Sequence, residues 1–133
     1  MSPPLFSGGN KNGGRVMPKQ ILVADDDPVL LRLYTRMLAG TGYAVSRASS
    51  FAEAAALINS HKYDLLVTDL VFPDGVGTDL ITIFERKQSC AKCILVTGAA
   101  SELDPAKIPV LAGYFEKPLD ADAFIAAVTK ALA

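Results

Sequence analysis

The sequence predicts a doubly wound α/β fold, a five-stranded parallel sheet with helices on both faces. Two observations carry this expectation. Short, mostly apolar runs recur at 21–24 ("ILVA"), 64–70 ("DLLVTDL") and 93–97 ("CILVT"), and such runs mark strands buried on both faces. Between them lie stretches whose apolar residues recur at helical spacing. Strands that alternate with helices join into a parallel sheet through right-handed crossovers.

Each element has its own justification. Residues 1–17, rich in Gly, Pro, Ser and Asn, hold few groups that could pack, and are expected to form a disordered extension before a single domain at 18–133. The first strand is 21–24. In "PVLLRLYTRMLAG" (28–40), Leu30, Leu33, Tyr34, Met37 and Leu38 form one helical stripe and Gly40 supplies the stop. "YAVSRA" (43–48) is the second strand. "SFAEAAALINS" (50–60) is a helix capped by Ser50, with Glu53 completing a capping box and His61 at the far end, where a cation suits the dipole. The third strand, 64–70, leads into the loop "PDGVG" (73–77), which has neither the lysine nor the third glycine of a phosphate cradle. A helix over 78–88 turns Leu80, Ile81 and Phe84 inward. The fourth strand is 93–97 and the fifth is "GYFE" (113–116). The last helix, 120–133, places Phe124, Ile125, Val128 and Leu132 on its stripe. Pro105 and Pro109 interrupt the remaining span, so the helix expected near 102–108 should be short or irregular.

Composition excludes several classes. Hydrophobic residues make up 50% of the chain, and 13 basic against 14 acidic residues give a net charge of −1. No basic stripe points to nucleic acid. No apolar run approaches the ~18 residues of a membrane span, and the N-terminus lacks the apolar core of a secretory signal. A cytoplasmic protein that binds neither nucleic acid nor membrane is expected. Cys90 and Cys93 form "CAKC". The motif lacks the strand-to-helix position of a redox pair, so it reads as one surface and one buried cysteine across a turn.

The chemistry lies at the strand ends, where sites of such sheets are built. Strand one ends in Asp25, Asp26 and Asp27, strand three in Asp69, strand four in Thr97, and strand five runs into Lys117. Clustered carboxylates repel one another, and a hard divalent cation reverses that penalty. Mg²⁺ takes a few carboxylates together with phosphate oxygens. A carboxylate can itself be the nucleophile and form an aspartyl-phosphate, with lysine and Mg²⁺ stabilising the phosphoryl oxygens. Asp27 precedes Pro28, and Asp at N-cap followed by Pro at N1 is a favoured helix start, so Asp27 reads as a cap, whereas Asp25 and Asp26 on residue type alone read first as a solvated acidic turn.

Four segments, "ILVADDDP", "LLVTDLVFPDGVG", "ILVTG" and "GYFEKP", occur in the order and approximate spacing of a known family. From about residue 19 onward the chain resembles the receiver domain of two-component response regulators, the CheY-like superfamily. The resemblance implies a flavodoxin-like (βα)5 sandwich with strand order 2-1-3-4-5. It implies that Asp69 accepts a phosphoryl group from a histidine kinase or histidine phosphotransfer protein. Asp25, Asp26, Asp69 and the backbone carbonyl of Val71 would then hold Mg²⁺. Thr97 would bond a phosphoryl oxygen, Lys117 would pair with the phosphoryl group, and Lys117–Pro118 would be cis. Tyr114 matches the switch aromatic, although on residue type alone a plain core aromatic stands equally open. Val71 and Ala99, at positions the family varies, would tune water access to the site. Phosphorylation would change a surface that recruits a downstream protein partner; the chain would catalyse its own phosphorylation and dephosphorylation without being a turnover enzyme. Two other readings of the same residues are a phosphate-independent interaction module and a small aspartyl-phosphate phosphatase. The phosphatase would need a substrate cap that this sequence does not offer.

Overall fold

A computed structural model describes residues 17–98 and 111–133. The strands are β1 (Gln20–Ala24), β2 (Ala44–Ala48), β3 (Leu65–Thr68), β4 (Val71–Phe72), β5 (Gly75–Val76), β6 (Lys92–Thr97) and β7 (Gly113–Glu116). The helices are α1 (Pro28–Leu38), α2 (Phe51–Ser60), α3 (Gly77–Lys87) and α4 (Ala121–Ala131). The five longer strands form one sheet in the order β2-β1-β3-β6-β7, parallel throughout. That is the expected order 2-1-3-4-5. The helix expected near 102–108 and most of the extension at 1–17 lie outside the described residues.

Alternation along each strand divides the core in two. Leu22 and Ala24, Leu66, and Cys93 and Leu95 face α2 and α3, where they meet Ala54, Ile58, Leu80, Ile81 and Phe84. Ile21 and Val23, Leu65 and Val67, and Ile94 and Val96 face the other way, against Leu31, Tyr34 and Leu38 of α1 and Phe124 and Val128 of α4. Both faces of the central strands are therefore sealed, which is why their sequences read as unbroken apolar runs.

The structure corrects three local expectations. The inward stripe of α1 is Leu31, Tyr34 and Leu38, whereas Leu33 is 37% exposed. Leu33 lies about 100° round the helix from Tyr34, and Leu30 and Met37 are half-buried flanks. Ser50 caps α2 through the Glu53 amide at 3.0 Å, but the Glu53 carboxylate reaches back to the Ser49 amide at 2.7 Å, one residue beyond a standard capping box. The loop at 73–77 supplies the turn and second strand of a small antiparallel hairpin over 71–76, with Val71 opposite Val76 and Phe72 opposite Gly75. Two-residue strands are too short to leave a periodic signal.

Candidate functional site

The carboxyl ends of β1, β3 and β6 bring the polar residues together. Asp25 follows β1 directly and is fully buried, and Asp69 follows β3 and is 7% exposed. Each is fixed through its backbone to the adjacent strand: the Asp25 amide donates to the Ala48 carbonyl at 3.1 Å and the Asp69 amide to the Ala24 carbonyl at 3.0 Å. Parallel pairing thus sets two carboxylates side by side although 44 positions separate them in sequence. Asp26 is exposed at the rim. One oxygen each from Asp25, Asp26 and Asp69 lie within 4.8 Å of one another.

Lys117, at the end of β7, bridges the two buried acids. Its Nζ lies 3.1 Å from Asp25 Oδ2 and 3.1 Å from Asp69 Oδ2. The Lys117 amide donates to the Thr97 carbonyl at 2.9 Å, and the Lys117–Pro118 bond is cis. Burial alone would lower the Lys117 pKa, but attraction from Asp25, and then from Asp69, outweighs it and holds the ammonium above its usual range. Burial pushes the Asp25 carboxyl upward; the Asp27 amide and Lys117 pull it partly back, and the charge of Asp69 adds to the rise.

The carboxylate oxygens are partly spoken for. Asp25 Oδ1 accepts from the Asp27 amide at 2.9 Å, and Asp69 Oδ1 accepts from the Leu70 amide at 2.7 Å. Among the described residues, Asp25 Oδ2 is buried and accepts no hydrogen bond, and Lys117 meets it as an ion pair. Among the described residues three carboxylates face one ammonium, so negative charge is in excess. An excess of hard oxygen donors with one buried oxygen short of a hydrogen bond fits a divalent cation.

The remaining predicted residues take distinct places. Thr97 ends β6 fully buried at the same edge, opposite Glu116 of β7. Val71 opens the hairpin that follows Asp69, 40% exposed. Tyr114 is 39% exposed with its hydroxyl 3.5 Å from Glu116 Oε2, so it is not a core aromatic. Asp27 caps α1, accepting from the Val29 amide at 2.9 Å. Cys90 is exposed and Cys93 buried. His61 is the C-cap of α2. Ala99 lies outside the described residues.

Two residues of the site went unassigned in the sequence. At Gly77 a Cβ would stand 1.9 Å from the Asp69 carbonyl oxygen, so α3 can begin this close to Asp69 only with glycine there. Asp74, in the hairpin turn, accepts from the Phe51 and Ala52 amides of α2, both at 3.0 Å. The "PDG" signal marked a turn; only the fold reveals which amides it meets.

Residues 21–129 match the model of the response regulator receiver domain family. The chain belongs to that family. It is 32% identical over 117 residues to the transcriptional regulatory protein GlrR of Escherichia coli, an alignment that covers 86% of this chain and 26% of that protein. The receiver domain thus spans about a quarter of the length of that curated relative. A CheY-like response regulator receiver domain protein from Methanospirillum hungatei superposes with a TM-score of 0.81 at 28% identity, covering 87% of this chain and 94% of that one. A Burkholderia pseudomallei response regulator, solved with a phosphorylated aspartic acid, a calcium ion and citrate, superposes with a TM-score of 0.72 at 29% identity, covering 86% and 69%. Among the described residues, no helix is long and apolar enough to cross a membrane.

Proposed function

We propose that Asp69 of this receiver domain is the phosphoacceptor, charged by a histidine kinase or histidine phosphotransfer protein, and that Mg²⁺ is the working metal. The observation that carries this reading is the convergence of Asp25, Asp26 and Asp69 within 4.8 Å around Lys117. Asp25, Asp26, Asp69 and the Val71 carbonyl would hold the metal. Bound Mg²⁺ supplies positive charge to the carboxylates and to the phosphoryl oxygens.

This chain's own groups do the rest. The Leu70 amide and Lys117 each hold one oxygen of Asp69, fixing the carboxylate for attack. An Asp69 oxygen attacks phosphorus of a phosphohistidine; the O–P bond forms, the N–P bond breaks, and the imidazole keeps the electron pair. Lys117 and the Thr97 hydroxyl then bind phosphoryl oxygens; the group brings about two negative charges while the Asp69 carboxylate gives up its one, so the site gains about one negative unit. Tyr114 moves inward as Thr97 is drawn to the phosphoryl group, and the changed surface recruits a protein partner by population shift. The protein transfers phosphate onto and off itself without turning over an external substrate. It acts in the cytoplasm through protein contacts, as one domain at 18–133 preceded by an extension at 1–17.

The test is incubation with a small-molecule phosphodonor and intact-mass measurement. The wild type gains one phosphoryl group when Mg²⁺ is present and none when it is chelated. Asp69→Asn gains none; retention of the gain by that variant overturns the assignment.

A further inference from the structure

We propose that Asp74 is a positioning residue for the phosphorylation site: it pins the β4–β5 hairpin, and with it the backbone of Val71, to the N-terminus of α2. The inference rests on the proposed role of the Val71 carbonyl as a metal ligand. Three contacts argue for it.

The segment from Asp69 to Gly77 leaves the sheet after β3 and returns to begin α3. At its ends it is fixed by the close approach of Gly77 to the Asp69 carbonyl and by the Gly77 amide, which donates to the Leu70 carbonyl at 2.6 Å. At its tip it would be an isolated hairpin of two-residue strands, which is not stable by itself. The tip is instead held by α2. Asp74 Oδ1 accepts from the Phe51 amide and Oδ2 from the Ala52 amide, both at 3.0 Å. These are two of the amides that a helix start leaves without partners. The Phe72 ring packs edge-on to Phe51 with centroids 6.4 Å apart. A Cβ at Gly75 would lie 2.4 Å from the Phe51 ring, so the returning strand is pressed against the same side chain. The two amide bonds also hold the Asp74 carboxyl below its usual range.

A carboxylate fits this place better than an amide or hydroxyl, because two oxygens answer two donors from adjacent residues. Asn offers one oxygen and Ala none. α2 thereby supports, through two backbone amides, a loop that would contribute a ligand. Coupling of this kind is reciprocal: whatever ordering of the loop the metal requires must also tighten the α2 N-terminus.

The experiment compares wild type, Asp74→Ala, Asp74→Asn and Ser50→Ala by calorimetric Mg²⁺ titration, thermal unfolding and amide exchange. Ser50→Ala removes the other side-chain cap of α2 without touching the hairpin. The expected result is Mg²⁺ affinity about tenfold weaker in Asp74→Ala, as for loss of a group that orients a metal ligand, intermediate in Asp74→Asn, and unchanged in Ser50→Ala despite its lower melting temperature. Mg²⁺ should slow exchange of the Phe51 and Ala52 amides in wild type and not in Asp74→Ala. Equal Mg²⁺ affinity in Asp74→Ala and wild type, or equal weakening in Ser50→Ala, overturns the inference. Failure of wild type to bind Mg²⁺ would instead overturn the reading of the site on which it rests.

Discussion

Asp25, Asp26 and Asp27 are neighbours in sequence with three different environments. Asp25 is buried between sheet and lysine, Asp26 is exposed at the rim, and Asp27 turns to the first amides of α1. The division makes a residue-level prediction. Asp27→Ala should cost about 1 kcal/mol of stability, the usual loss for a helix cap, while Mg²⁺ affinity by titration stays within a factor of two, since the bond from residue 27 to Asp25 comes from its backbone. The cysteines differ as sharply. Burial, with the charge of Glu85 adding to it, pushes the Cys93 thiol up to about 12. The thiolate is the reactive form, so at pH 8 a thiol reagent should modify Cys90 alone in the native protein. Both cysteines should react once the chain is unfolded.

At the scale of elements, the site depends on how closely α3 starts behind β3. The first helical residue is Gly77, and its missing side chain makes room for the Asp69 carbonyl, which also accepts from the Thr68 hydroxyl at 2.9 Å. Gly77→Ala should cost about 3 kcal/mol by denaturant unfolding, at the upper end for overpacking, because the obstructing atom is backbone rather than the tip of a side chain. The same variant should be phosphorylated more slowly than wild type, since relief requires moving either α3 or Asp69. A loss below about 1 kcal/mol would mean that the loop yields easily, and the proposed rigidity of the 69–77 segment would be wrong.

For the whole molecule, a cluster with three carboxylates and one ammonium stores repulsion that a cation relieves. If Mg²⁺ is the working metal, it would bind the folded arrangement and find no such cluster in the unfolded chain, where Asp69 lies 44 positions from Asp25 and is no longer held beside it. Thermal unfolding should therefore shift upward as Mg²⁺ rises, by the equivalent of about 2.7 kcal/mol at a hundred times the dissociation constant. The shift should vanish in an Asp25→Asn, Asp26→Asn variant. A Mg²⁺-independent melting temperature in wild type would exclude metal binding at this edge.

The sequence by itself determined the sheet. Runs such as 21–24 and 93–97 are buried between two layers, and their alternation with amphipathic stretches implies a parallel sheet with right-handed crossovers, while the strand order followed only from the family resemblance. It also determined which residues reach the reactive edge, because strand ends are legible wherever an apolar run stops at a charge. The fold alone decided the rest. A helical stripe fixes a face only to within one residue's rotation, so exchanging Leu33 for Leu31 needed the packed sheet. The hairpin at 71–76 is too short for periodicity to register. Asp74 and Gly77 owe their roles to residues distant or turned back in space: the former to amides 22 and 23 positions away, the latter to a carbonyl that only the β3–α3 turn brings within reach. Contacts of that kind depend on where backbone groups point, which a string of side chains does not encode locally.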